Sequence, residues 1–226
     1  MRRRVLRIGS PLFLILLLLC GCQSGLFTII YLFKGKDEAP PYTFLVKGEQ
    51  KVAVVCRSMV ANQLAAQNAP RDIARQVGDI IHTKTKNKKL KVVESTRIDA
   101  WLDNCDNVFD DFLEVGRAKS IAADYVIGIE LIGFQLRDSH SPHLLQGKAY
   151  LQVRAIDCES GEVVANRPIN VVYPPNVPMT AGPGVDQAFR AQFIRVISEQ
   201  IAILFIHHDP NKTKPIDADT LELHRL

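Results

Sequence analysis

The stretch Asp124-Tyr-Val-Ile-Gly-Ile-Glu-Leu-Ile-Gly-Phe-Gln-Leu136 alternates along its length and predicts one long strand. Downstream, Lys148 to Cys158 alternates again, with Leu151, Val153 and Ala155 on one face and Gln152 and Arg154 on the other. Glu159-Ser-Gly161 reads as a tight turn with glycine where a positive φ is needed. Val163-Val164 then returns, and Asn170 to Tyr173 extends the same strand, so two or three antiparallel strands follow one another. Pro174 to Gly184 holds four prolines and two glycines and reads as loop.

Upstream, Asp111 with Glu114 three residues on forms an Asp variant of the capping box, opening a helix with Phe112, Val115 and Ala118/Ala122 on one side. Ser95 is positioned to cap a short helix whose Ile98, Trp101 and Leu102 face inward. Leu90 to Glu94 reads as a strand. Before it, Asn68 as N-cap and Pro70 at the first turn start a helix striped by Ile73, Val77, Ile80 and Ile81. That helix runs into Lys84, Lys86, Lys88 and Lys89, charges suited to the negative end of its dipole. Residues 57–68 look irregular, and Lys51 to Cys56 is a compact apolar run that predicts a buried strand. At the other end Val185, Phe189, Phe193, Val196, Ile197, Ile201, Leu204 and Phe205 repeat at helical spacing until Pro210. The fold class implied is α/β, a single two-layer sandwich whose mixed sheet carries helices packed mainly on one face.

The 226 residues are 47% apolar and 23% charged, with a formal charge of +4. Such a composition excludes a disordered, collagenous or disulfide-dense chain. The excess charge is local: Arg2, Arg3, Arg4 and Arg7 fall in the first 21 residues, which contain no acid, leaving 24 basic and 24 acidic side chains. A neutral body argues against nucleic acid, whose phosphates demand a clustered positive face.

MRRRVLRIGS followed by PLFLILLLL has the charged and apolar regions of a secretion signal. The run ends in Leu19-Cys20-Gly21-Cys22, which resembles the bacterial lipobox. The resemblance implies cleavage after Gly21, lipidation of Cys22 and anchoring in a lipid bilayer through its acyl chains. Cys20 departs from the Ser, Ala or Thr more usual at its position. Gln23 after the lipidated cysteine resembles lipoproteins exported to the outer membrane, with the body on its periplasmic face. The alternative is an uncleaved inner-membrane anchor over residues 11–33, which leaves the body in the same compartment. The expected organisation is a signal peptide at 1–21, an anchored tether at 22–46, the α/β domain at 47–208 and a mobile tail at 209–226. Cys56, Cys105 and Cys158 remain in the body, without CxxC spacing. Cys56 and Cys158 read as small buried apolar residues.

The order of elements, with Val52-Ala-Val-Val55, Val92-Val-Glu-Ser95, Ala123-Asp-Tyr-Val-Ile-Gly128 and Asp157-Cys-Glu-Ser-Gly-Glu-Val163, resembles a group of bacterial envelope domains. The group comprises the TolB N-terminal domain, the curli-secretion lipoprotein and lipoprotein activators of penicillin-binding proteins. The resemblance spans residues 50–206 and implies a binding or assembly protein without catalysis or cofactor. The connections Arg57–Ala69 and Asp138–Lys148 are too short for the pore-forming hairpins of the curli type.

Three functional readings follow. The first is a non-catalytic, membrane-anchored module that binds an envelope protein, at a sheet edge by β-augmentation or on a helix face. The second is a homo-oligomeric secretion or assembly component using the C-terminal helix as interface. The third is a metal-binding or hydrolytic protein at His140 and His143 with Asp138, a spacing for which a polar hairpin tip is the plainer account. His207-His208-Asp209 puts adjacent imidazoles on different helix faces. The lysines of 84–91 could touch anionic lipid heads, lipopolysaccharide or peptidoglycan, or simply solvate a helix end.

Overall fold

The computed structural model describes residues 40–46, 48–59, 67–105, 111–182 and 184–208. Ten elements occur in the order β1 (Lys51–Ser58), α1 (Ala69–Lys84), β2 (Lys91–Val92), α2 (Ser95–Asn104), α3 (Phe112–Arg117), β3 (Tyr125–Arg137), β4 (Leu144–Asp157), β5 (Val163–Tyr173), β6 (Met179–Thr180) and α4 (Val185–Ala202). One mixed sheet runs β2-β1-β3-β4-β5, with β6 on β4. β1 is parallel to β2 and β3, and β4 is antiparallel to β3, β5 and β6. The fold is thus the expected α/β sandwich.

The main core lies between the sheet and α1 with α4. Val52, Val54 and Cys56 of β1, Ile127, Ile129 and Leu131 of β3, and Leu151, Val153 and Ala155 of β4 meet Ile73, Val77 and Ile81 of α1 and Phe193, Ile197 and Ile201 of α4. A smaller core fills one end of the opposite face: Ala53, Val55 and Val126 are covered by Ile98 and Leu102 of α2 and Phe112 and Val115 of α3. Strand β1 is therefore apolar on both sides, as its unbroken run of small and β-branched residues requires.

Asp124 locks the two parallel strands together. Its Oδ2 accepts the Lys51 amide at 2.7 Å, its own amide donates to the Lys51 carbonyl at 2.8 Å, and its carbonyl accepts the Cys158 amide at 2.8 Å. Four residues on, Gly128 seats the Phe112 ring, which a Cβ at that position would overlap. A bulge between Leu131 and Gly133 then reverses the phase of β3. Phe134 consequently turns into the main core, while Ile132 stands out on the opposite face at 54% exposure.

Several local expectations need correcting. Asn68 precedes α1 but does not cap it with its side chain; it adopts a left-handed φ of 62°, and its carbonyl accepts the Asp72 amide. Asn tolerates that backbone region because its short side chain adds little steric penalty. Glu94, not Ser95, holds the cap position of α2, where its carbonyl accepts the first amides of the helix. Asp111 does cap α3, accepting the Leu113 amide at 3.1 Å. That helix stops at Arg117, however, because the chain must wind through Ala122 (φ 47°) to meet Lys51, and Ile121 rather than Ala122 fills the core. Only Lys91 and Val92 of the expected Leu90–Glu94 strand pair with β1, and the loop after β5 contains the short strand β6. Substituting Gly128→Val should lower unfolding stability by about 1–3 kcal/mol through overpacking against Phe112. Urea denaturation measures this, and an unchanged midpoint would contradict the close ring–backbone seat.

Candidate functional site

The strand directions sort the molecule into two poles. β1 and β3 start, and β4 ends, at one pole, where Val52 pairs with Tyr125 and Tyr125 with Asp157. The described chain begins there: the Tyr42 amide donates to the Leu204 carbonyl at 3.1 Å, Phe44 packs on Tyr125 and Phe205, and Leu45 is buried. α4 ends at the same pole, so the described residues enter and leave together. The hairpin turn 138–143, β6 and the start of α4 lie at the other pole, about 40 Å away along β3. Cys20, Gly21 and Cys22, the apolar run 11–33, most of the expected tether and the tail from Asp209 fall outside the described residues. Among the described residues no helix is long and apolar enough to cross a membrane.

The Asp138/His140/His143 constellation is a hairpin turn held by its own backbone bonds. Asp138 Oδ1 accepts the His140 amide at 2.7 Å, which holds the carboxyl below the usual aspartate range. The His140 ring is 92% exposed, and its Nδ1 lies 3.2 Å from Ser139 Oγ. The carbonyl of His143 accepts the Ala181 amide, and Arg137 ties the turn down by bonding the Pro142 carbonyl and Asp186. Among the described residues no three His, Cys, Asp or Glu side chains converge as a metal set.

The thiols behave as packing groups. Cys56 is fully buried, and desolvation pushes its pKa far above the ordinary thiol value. Cys158 is raised to about 11, chiefly by burial, and its Sγ occupies the space a side chain on Gly116 would need. Neither thiol is poised to ionise near neutrality.

The segments Ala123–Gly128 and Asp157–Val163 meet at the pole where β1 and β3 start. Asp157 Oδ1 accepts the amides of Glu159 at 2.9 Å and Ser160 at 3.0 Å, shaping the turn that Gly161 completes at φ 77°. These amides, the Ser160 one foremost, hold the Asp157 carboxyl below its ordinary range, and the Tyr125 hydroxyl adds to them. Burial is the leading cause that raises Tyr125 in turn. Both segments thus build a sheet end rather than a reaction centre.

Among the described residues, the surface most open to a partner is the half of the second sheet face beyond α3. α3 ends the helical cover at Phe112, and Arg57 and Arg154 lie over that ring at 4.9 and 5.7 Å from its centroid. Both guanidiniums pair with Glu130, Arg154 at 2.7 Å. Beyond this charged row, Tyr150 lies against Gly133, 2.9 Å from where a Cβ would stand, and is exposed beside Ile132 and close to the exposed Met59. An aromatic residue in phase with Gln152 and Arg154 was the available sequence signal for Tyr150, and Ile132 stands in phase with Gly128 and Glu130 on the same face; only Gly133, which the bulge sets opposite Tyr150, departs from that alternation.

The edges and α4 are less available than expected. Pro168 stands mid-way along the edge strand β5, where it offers no N–H, and the Asn166 carbonyl two residues earlier accepts the Tyr42 hydroxyl at 3.4 Å. Strand addition there lacks a continuous ladder. Phe189, Phe193, Ile194, Ile197 and Ile201 of α4 are all at most 3% exposed, so its apolar side is spent on the sheet.

No protein-family model and no curated protein matches this chain. Among solved structures it is similar to the PelC dodecamer from Paraburkholderia phytofirmans, at 10% identity and TM-score 0.40, covering 74% of this chain and 94% of that one. It is also similar to lipoprotein GNA1162 from Neisseria meningitidis, at 10% identity and TM-score 0.42, covering 68% and 98%. A third similarity is to the LpoB C-terminal domain from Escherichia coli, at 12% identity and TM-score 0.34, covering 64% and 93%.

Because the folded state favours ionised Asp157, its contribution to stability is present above the ordinary aspartate pKa and is lost as pH falls through the lowered value. Asp157→Asn should therefore narrow the gap between urea midpoints at pH 7 and below about pH 4. Equal gaps in variant and wild type would remove the carboxylate from the acid response.

Proposed function

We propose that this chain is a non-catalytic lipoprotein of a bacterial envelope, held by acyl chains on Cys22 at the periplasmic face of the outer membrane, whose body docks another envelope protein. The observation that carries the reading is polarity of construction. A signal-like run ending in Leu19-Cys20-Gly21-Cys22 leads to a domain that takes up its chain at one pole. The Arg57–Glu130–Arg154 row and the exposed Ile132 and Tyr150 lie farther along the sheet from that pole. A tyrosine laid over a glycine, with an isoleucine beside it and paired charges at the border, has the make-up of an interface anchor: rigid aromatic area inside a polar rim. The raised thiols and the self-satisfied His140 turn support binding rather than chemistry. The membrane keeps the body near partners in the same compartment, which multiplies the effect of a modest contact.

Cells fed an alkyne fatty acid should label the wild-type protein and not Cys22→Ser, and a soluble, unlabelled wild type would overturn the anchor. A photo-cross-linker at position 150 should give one dominant adduct, reduced at least about tenfold by Ile132→Glu at unchanged melting temperature. An adduct indifferent to that substitution would move the docking surface elsewhere.

A further inference from the structure

We infer that the lysine loop joining α1 to β2 is a second membrane contact, seating anionic phospholipid headgroups beside the point where the anchored segment meets the body; the inference rests on the lipoprotein reading above. Residues 80–93 contain Lys84, Lys86, Lys88, Lys89 and Lys91 and no carboxylate. All five side chains are exposed. Lys91 pairs with Glu49 at 2.6 Å.

The loop does not swing independently of the incoming chain. Asn87 Nδ2 donates to the carbonyls of Leu45 at 3.1 Å and Gly48 at 2.9 Å, while its Oδ1 accepts the Lys89 amide at 3.0 Å. One asparagine thus fixes the lysines against the segment that leads back to Cys22. Eighteen residue steps separate Cys22 from Pro40, a reach of at most about 60 Å when fully extended. A tether of that length lets the loop come down to the leaflet that holds Cys22.

Charge at this pole is divided. Asp124, Asp157, Glu159 and Glu162 stand on the β3–β4–β5 side, the first two engaged by backbone amides, together with Arg117 and Lys51, whose side chains bond carbonyls there, while Glu49 is the acid paired on the lysine side. The lysines stand on the β2 side. A negatively charged plane selects the lysine side, and the attraction acts only within about 10 Å, a distance the tether makes routine. Lysine suits this task, being a compact hydrated charge that needs no fixed partner geometry. Docked this way, the body turns the β5 side of the pole away from the lipid.

The test is a lysine footprint of the full-length mature protein reconstituted in vesicles, using a membrane-impermeant amine reagent read by peptide mass spectrometry. Labelling of Lys84, Lys88 and Lys89 should fall at least threefold when about 30% phosphatidylglycerol replaces phosphatidylcholine, and recover in about 0.5 M salt. Lys148, on β4, is the internal reference and should not change. A variant carrying Lys84→Glu, Lys88→Glu and Lys89→Glu should keep its melting temperature and acylation, while Lys86 and Lys91 lose their lipid-dependent protection. Equal labelling in both vesicle types overturns the inference, as does protection by isolated peptidoglycan sacculi and not by vesicles. An acylated protein with an unchanged footprint sinks the lysine seat alone, whereas an unacylated protein with a salt-sensitive footprint sinks the Cys22 anchor and keeps the seat.

Discussion

From Val52 to Cys56 strand β1 presents no polar side to water. Val52, Val54 and Cys56 face α1 and α4, and Ala53 and Val55 face α2 and α3, so the strand survives only between two covers. The second cover is short: α3 has six residues, and its Phe112 is the last large apolar group laid on that face. Past it the sheet continues, and Arg57, Arg154 and Glu130 border the ring with paired charges.

The same topology sets the two poles. A parallel β1–β3 pair joined to an antiparallel β4 brings Lys51, Asp124 and Cys158 to one place, where Asp124 bonds to both neighbours. Because α1 runs back from β1 to β2, its lysine-rich end arrives at that pole too. Segment 42–46, the end of α4 and the loop around Asn87 then close over the sheet end together. The entry of the chain at Tyr42, the lysine loop and the exposed Tyr150 are thereby ordered along one axis by strand direction alone.

Most of this architecture was legible in the sequence because periodicity reports burial. The alternation in β3 and β4 and the stripes of α1 and α4 name mostly buried residues, with Ile80, Val185 and Val196 half-buried at the margins. Gly128 was readable as a close-approach glycine, although its partner, Phe112, comes from a distant segment. What local reading missed depends on tertiary geometry. Asn68 reads as a side-chain cap but bends the backbone, Ala122 reads as helical but must turn towards Lys51, and the bulge at Ile132 reverses which residues face out. In the candidate regions, the His140 turn was visible as a ligand-like spacing that a hairpin tip also explains, and Asp138 is occupied by a backbone amide. The docking patch was not visible, since it exists only once β3 and β4 are in register.

The proline in the outermost strand has a meaning that reaches beyond a single molecule. Copies confined to a plane meet one another far more often than in free solution, and an open strand margin would then invite polymerisation into ordered fibrils. With Pro168 lacking a donor and the Asn166 carbonyl occupied by Tyr42, such growth has no template to copy. Dense packing on a surface is thus compatible with each copy remaining separate.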